Sequence, residues 1–93
     1  MIAWRLIIRG CVQGVGYRYA MVDAAQALGV AGWVRNRRDG TVEAFVQGDP
    51  APVDAILAWC RHGPPSARVN AIDTMAVGAD PTIDTFEHRR TEP

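Results

Sequence analysis

The apolar residues of this chain change period from one short segment to the next, and that alternation confines the fold more than any other feature. Trp4-Arg5-Leu6-Ile7-Ile8-Arg9 is a compact apolar run ending at Gly10, the pattern of a strand. From Arg18 the spacing becomes helical: Met21, Ala24, Ala25 and Leu28 fall on one face, and Gly29 stands where helices commonly stop. Strand spacing returns over Ala31–Asn36 and Thr41–Gln47, where Val42, Ala44 and Val46 alternate with Glu43, Phe45 and Gln47. Between them, Asp39-Gly40 is a hairpin signal, because glycine accepts positive φ without penalty.

Asp49-Pro50-Ala51-Pro52 opens a second helix, with Val53, Ile56, Leu57 and Cys60 in one stripe and Gly63-Pro64-Pro65 ending it. Val69–Val77 reads as a strand, and a short strand around Thr85–Arg89 closes the chain. A helix with one apolar stripe must bury it, so both helices are expected on the same face of an antiparallel sheet. The expected class is α+β, a ferredoxin-like split βαβ sandwich with the order βαββαβ. The 93 residues form one domain, 1–93, with no room for a second core. That fold carries many unrelated functions, so the chemistry has to be read from particular residues.

Ten arginines balance ten acidic residues, and lysine is absent. Neutrality argues against a nucleic-acid or membrane-surface binder, which would show a basic excess. The absence of lysine removes Schiff-base chemistry and the lysine of a nucleotide P-loop. No apolar run reaches the ~20 residues of a membrane span, and Arg5 and Arg9 make the start a poor signal peptide. Cys11 and Cys60 are the only cysteines and are expected to stay reduced in the cytoplasm. With His62 and His88 they fit no zinc-finger spacing, so no metal and no cofactor are expected.

The stretch between the first strand and the first helix carries the chemical signal. Gly14 and Gly16 let the backbone turn successive N–H groups inward, which makes a nest for an anion. The adjoining helix N-terminus adds partial positive charge. Arg18 would add a planar fork of donors that fits a phosphate. The plain alternative is a simple connection followed by a solvated arginine, although the helix dipole disfavours a cation there. The segment lacks the end of a nucleotide P-loop. Six residues separate Cys11 from Arg18, one more than the loop of cysteine phosphatases carries, which argues against Cys11 as a nucleophile.

Gly10-Cys11-Val12-Gln13-Gly14-Val15-Gly16-Tyr17-Arg18 resembles the first acylphosphatase signature. Gly32-Trp33-Val34-Arg35-Asn36, followed by Asp39-Gly40-Thr41-Val42-Glu43, resembles the second. Gly63–Val69 is similar to the family's segment after its second helix. The resemblance spans almost the whole chain. It implies metal-free hydrolysis of acyl phosphates to a carboxylate and inorganic phosphate, with no cofactor. The family's catalytic arginine falls on Arg18 and its catalytic asparagine on Asn36. The phosphate-binding loop falls on Val12, Gln13, Gly14, Val15, Gly16 and Tyr17. The sequence departs from the pattern at Cys11, usually basic, and at His88, usually aliphatic.

These residues suit that chemistry. An acyl phosphate already has a good leaving group, so the need is charge neutralisation and a water held in line. Arg18 and the loop amides can supply the first. The Asn36 carboxamide offers a donor and an acceptor to fix the water. Read alone, Asn36 is better explained as a turn residue before a hairpin, and Arg37 and Arg38 are better explained as solvated hairpin charges than as groups that attract anionic substrates. Trp33, Trp59 and Phe45 read as core or sheet-surface aromatics, and His62 and His88 as structural or surface residues. Small-molecule acyl phosphate and phosphate are the expected partners of a cytoplasmic monomer. Two other enzyme-linked readings stay open, a cysteine phosphatase and a domain of a larger carbamoyl-transferring maturation protein. The chain's end at Pro93 favours a stand-alone form over the latter. A non-catalytic ferredoxin-like binding module is the alternative outside enzymology.

Overall fold

The computed structural model describes residues 1–91. The elements are β1 (Ile2–Cys11), α1 (Tyr17–Leu28), β2 (Ala31–Asn36), β3 (Val42–Gly48), α2 (Pro50–Cys60), β4 (Arg68–Val77) and β5 (Phe86–His88). They form one five-stranded sheet in the order β4-β1-β3-β2-β5. Helices α1 and α2 pack on each other and on one face of the sheet.

The stripes bury as their spacing dictates, except for Leu28 at the end of α1, which is left exposed. Leu6, Ile8, Val34, Val42, Ala44 and Val46 project from the sheet and meet Tyr17, Met21 and Ala25 of α1 and Val53, Ile56 and Cys60 of α2, all buried. Gly29 closes α1 in the left-handed conformation, φ 75°, and the Val30 amide reaches back to the Ala25 carbonyl. The Asp39-Gly40 hairpin forms, with Asp39 Oδ1 accepting from the Thr41 amide and hydroxyl at 3.0 and 2.6 Å. These features make the ferredoxin-like α+β fold.

One expectation needs correction: the sheet is mixed, not wholly antiparallel. Strands β1 to β4 pair antiparallel, but β5 lies on the outer edge of β2 and runs parallel to it. After β4 the chain reverses and crosses to the other edge, so β5 must run opposite to β4 and therefore along β2. Gln47 holds that crossing to the helix-free face. Its Nε2 donates to the Asp80 and Ile83 carbonyls, both at 2.8 Å, and its Oε1 accepts from the Asp80 amide at 2.7 Å. The same face carries the Trp33–Phe45 stack and Glu43 between Arg5 and Arg35, so residues 42–47 of β3 are buried on both sides.

Candidate active site

Because β1, β2 and β5 run in the same direction, their C-terminal ends share one end of the sheet. There the β1–α1 loop, Asn36 and His88 are gathered with the N-terminus of α1. Two buried residues, Val12 and Tyr17, pin the ends of the loop. The Gln13 carboxamide donates to the Arg37 and Thr41 carbonyls at 2.7 and 2.9 Å, which fastens the loop to the residue directly after Asn36. On the other side, Ser66 Oγ donates to the Val15 carbonyl at 2.7 Å.

Gly14 and Gly16 have φ of 73° and 80°. Open space surrounds both, so the backbone conformation and not crowding selects glycine there. Gly16 caps α1 without a side-chain hydrogen bond, and the first turn holds no acidic residue. Among the described residues, the amides of 13–17 donate to no carbonyl or side chain. A helix start normally satisfies such donors with a capping side chain, water or a ligand. Here the amides of 13–17 are unpaired at the positive end of the helix dipole.

Arg18 lies in this first turn, half-buried, with its guanidinium 5.8 Å from the Tyr19 ring centroid. Its Nη1 hydrogen-bonds His88 Nε2. Asn36, the last residue of β2, pairs with Val42. Its Oδ1 is buried and has no hydrogen-bond partner among the described residues. Buried carbonyl oxygens are rarely left so, and those that are call for an explanation.

The other candidates fall elsewhere. Cys11 is exposed at the end of β1, paired with Arg68 of β4, and Cys60 is buried as the last residue of α2, where burial pushes its thiol up to about 12. Trp33 stacks on Phe45 on the helix-free face and Trp59 packs 5.4 Å from the Tyr17 ring, so both are structural aromatics. Arg38 is exposed on the hairpin. A cavity of about 110 Å³ lies beneath α2, lined by Trp4, Leu57, Cys60 and Ile72 among others, with no residue of the β1–α1 loop in its wall. The contact of His88 with Arg18 was not foreseen from sequence, since no local signal links residues so far apart in the chain. No helix among the described residues is long and apolar enough to cross a membrane.

Comparison with known proteins identifies the fold and the family. The acylphosphatase family model matches residues 4–88. An acylphosphatase of Burkholderia cenocepacia is 53% identical over 85 residues, which cover 91% of this chain and 74% of that protein. The crystal structure of acylphosphatase from Bacillus subtilis superposes with a TM-score of 0.91 at 31% identity, covering 96% of this chain and 99% of that one. Full-length HypF in its phosphate- and nucleotide-bound form contains a similar region, TM-score 0.85 at 27% identity, which covers 99% of this chain but 12% of that one. With the signatures, the fold and these relatives in agreement, the chain belongs to the acylphosphatase family, hydrolases of acyl phosphates.

Proposed function

We propose that Arg18 and the amides of the loop Val12–Tyr17 bind the phosphoryl group of an acyl phosphate and that Asn36 orients the attacking water, without a metal ion. The water oxygen bonds to phosphorus as the phosphorus–oxygen bond to the acyl group breaks. The carboxylate leaves with that electron pair, and the water's proton passes to a phosphoryl oxygen. An uncharged amide is a poor base, so the role of Asn36 is to aim the water and not to ionise it. Charge stabilisation falls to donors already in place, which need not reorganise as the reaction proceeds.

The observation that carries this reading is the meeting of unpaired donors and one unpaired acceptor at a single end of the sheet: the amides of 13–17 and the buried Asn36 Oδ1. An anion answers the first and a water hydrogen answers the second. The reading takes the enzyme as a cytoplasmic monomer, with Cys11 and Cys60 as free thiols.

Phosphate release from benzoyl phosphate, compared with a phosphate monoester, tests the proposal in wild type and Arg18→Gln. The wild type should prefer the acyl phosphate and keep its rate in EDTA. Removing a donor aimed at transition-state charge should lower the rate by ~10²–10³. A folded Arg18→Gln protein with near-normal turnover would reject the assignment, and inactivation by EDTA would reject metal independence.

A further inference from the structure

His88 touches the proposed phosphate-binding arginine, at a position where the resemblance implies an aliphatic residue. It stands on β5 opposite Val34 of β2, on the same face as the buried Phe86, and its ring reaches the first turn of α1. There it meets two consecutive residues: Arg18 Nη1 hydrogen-bonds its Nε2, and the Tyr19 ring lies against it with centroids 5.2 Å apart.

The chemistry of that contact is directional. A guanidinium can only donate, so Nε2 must carry a lone pair. For Nε2 to accept, the imidazole has to be neutral with its proton on Nδ1, the less common tautomer of a free histidine. Partial burial and then the charge of Arg18 lower the His88 pKa below the usual histidine value, which keeps the ring neutral at neutral pH. Arg18 and Tyr19 face it from α1. Glu87 and Arg89 of its own strand and Arg35 of β2 point to the opposite face, where Arg35 and Arg89 both lie 5.0 Å from the Trp33 ring. Arg18 is thus the one cation against the imidazole among the described residues of these elements.

We propose that His88 is a positioning residue: its neutral imidazole, backed by Tyr19, holds the Arg18 guanidinium in place before the anion arrives. This rests on reading Arg18 as the phosphate-binding arginine. A long side chain that is immobilised in advance loses less freedom on binding. The helix dipole also disfavours a cation at this N-terminus, and the contact with His88 offsets part of that cost. When His88 gains a proton, it loses the lone pair that accepts from Arg18 and becomes a second cation beside it. The tether then becomes a repulsion.

The test uses the whole chain with benzoyl phosphate as substrate and sulfate as a competing anion, since sulfate keeps its charge across the range in which histidine titrates. His88→Ile, the aliphatic form of the family pattern, should raise KM and the sulfate inhibition constant about two- to tenfold, the weight of one immobilised side chain, with kcat nearly unchanged. His88→Gln, whose carbonyl oxygen still accepts, should recover most of the affinity. In wild type, sulfate binding should weaken as pH falls through the His88 pKa, and both variants should lack that dependence. Long-range ¹⁵N NMR should find the Nδ1–H tautomer in wild type and its loss in Arg18→Gln.

Wild-type KM and pH dependence in folded His88→Ile and His88→Gln overturn the inference, as does an Nε2–H tautomer. Sulfate binding that strengthens on acidification, as an imidazolium acting as a second anion ligand would produce, also overturns it. If Arg18→Gln binds sulfate as wild type does, the reading of Arg18 fails, and the NMR contact would survive as a structural one. If Arg18→Gln loses sulfate while the His88 variants are indifferent, only the role of His88 fails.

Discussion

The Tyr17 hydroxyl donates a 2.7 Å hydrogen bond to the Cys60 carbonyl, joining the first residue of α1 to the last of α2. Both side chains are fully buried, and burial, with the proximity of Cys60, holds the phenol in its protonated, donating form. This bond fixes the height at which α1 begins, and with it the loop amides and Arg18. Tyr17→Phe removes the donor and leaves a buried carbonyl unpaired, which should cost about 1–3 kcal/mol. Urea unfolding measures it, and an unchanged midpoint would show that water reaches the Cys60 carbonyl.

Gln13 is the brace between the loop and the end of β2, through the Arg37 and Thr41 carbonyls. Its side chain is therefore expected to set the distance between the bound phosphate and the water at Asn36. A displacement of about 1 Å at a reacting centre can cost on the order of 10²-fold in rate. Gln13→Ala should lower kcat/KM for benzoyl phosphate by about 10- to 100-fold while the protein stays folded. An effect confined to stability would make Gln13 a loop staple with no bearing on the chemistry.

What could be read from the sequence divides along physical lines. Local signals were legible: the stripe Met21, Ala24, Ala25, Leu28 with its Gly29 stop, the alternation of β3, and the Asp39-Gly40 hairpin each depend on neighbours a few residues away. The candidate loop could be picked out because it is one contiguous segment, Val12–Tyr17, beside Arg18, whereas Asn36 entered only through the resemblance. The direction of β5 was not legible, since it depends on the route of the 78–85 crossing and on Gln47 holding it. Nor was the Arg18–His88 contact, which requires knowing that β5 lies beside β2 and under the start of α1. Glu43 likewise reads as an outward-facing strand residue by alternation, yet it is buried because Arg5 and Arg35 close over it.

Asn36 offers a prediction in which stability and activity part company. Its buried Oδ1 has no partner among the described residues, which is a cost to the folded state. Groups kept at such a cost often serve function and not stability. Asn36→Ala should therefore fold at least as stably as wild type by thermal unfolding. At the same time kcat should fall steeply, and the inhibition constant of phosphate should change little, because the side chain handles water. Loss of phosphate affinity with kcat retained would reverse the division of labour between Asn36 and Arg18.

Glu43 ties acid sensitivity to the helix-free face of the sheet. Its carboxylate is 2% exposed and receives Arg5 Nε and Arg35 Nε, both at 2.7 Å. Burial raises its pKa, but the hydrogen bonds from Arg35 and Arg5 outweigh burial, so the folded protein holds the proton less tightly than a free glutamate does. The sign follows directly. As pH falls, the unfolded chain takes up this proton first, so the stabilisation is full above the ordinary glutamate pKa and is lost as pH drops through the lower, folded value. Removing one partner of a buried ion pair costs about 3–5 kcal/mol. The Arg5 and Arg35 side chains are 38% and 26% exposed, and solvent screening reduces the expected cost of Glu43→Gln to about 1–3 kcal/mol at neutral pH. Urea unfolding from neutral to acid pH should show a shallower decline for Glu43→Gln than for wild type, with the two curves converging at the acid end. Parallel curves would mean that Glu43 keeps the same proton affinity when the chain unfolds, and that the two arginines close over it without stabilising its charge.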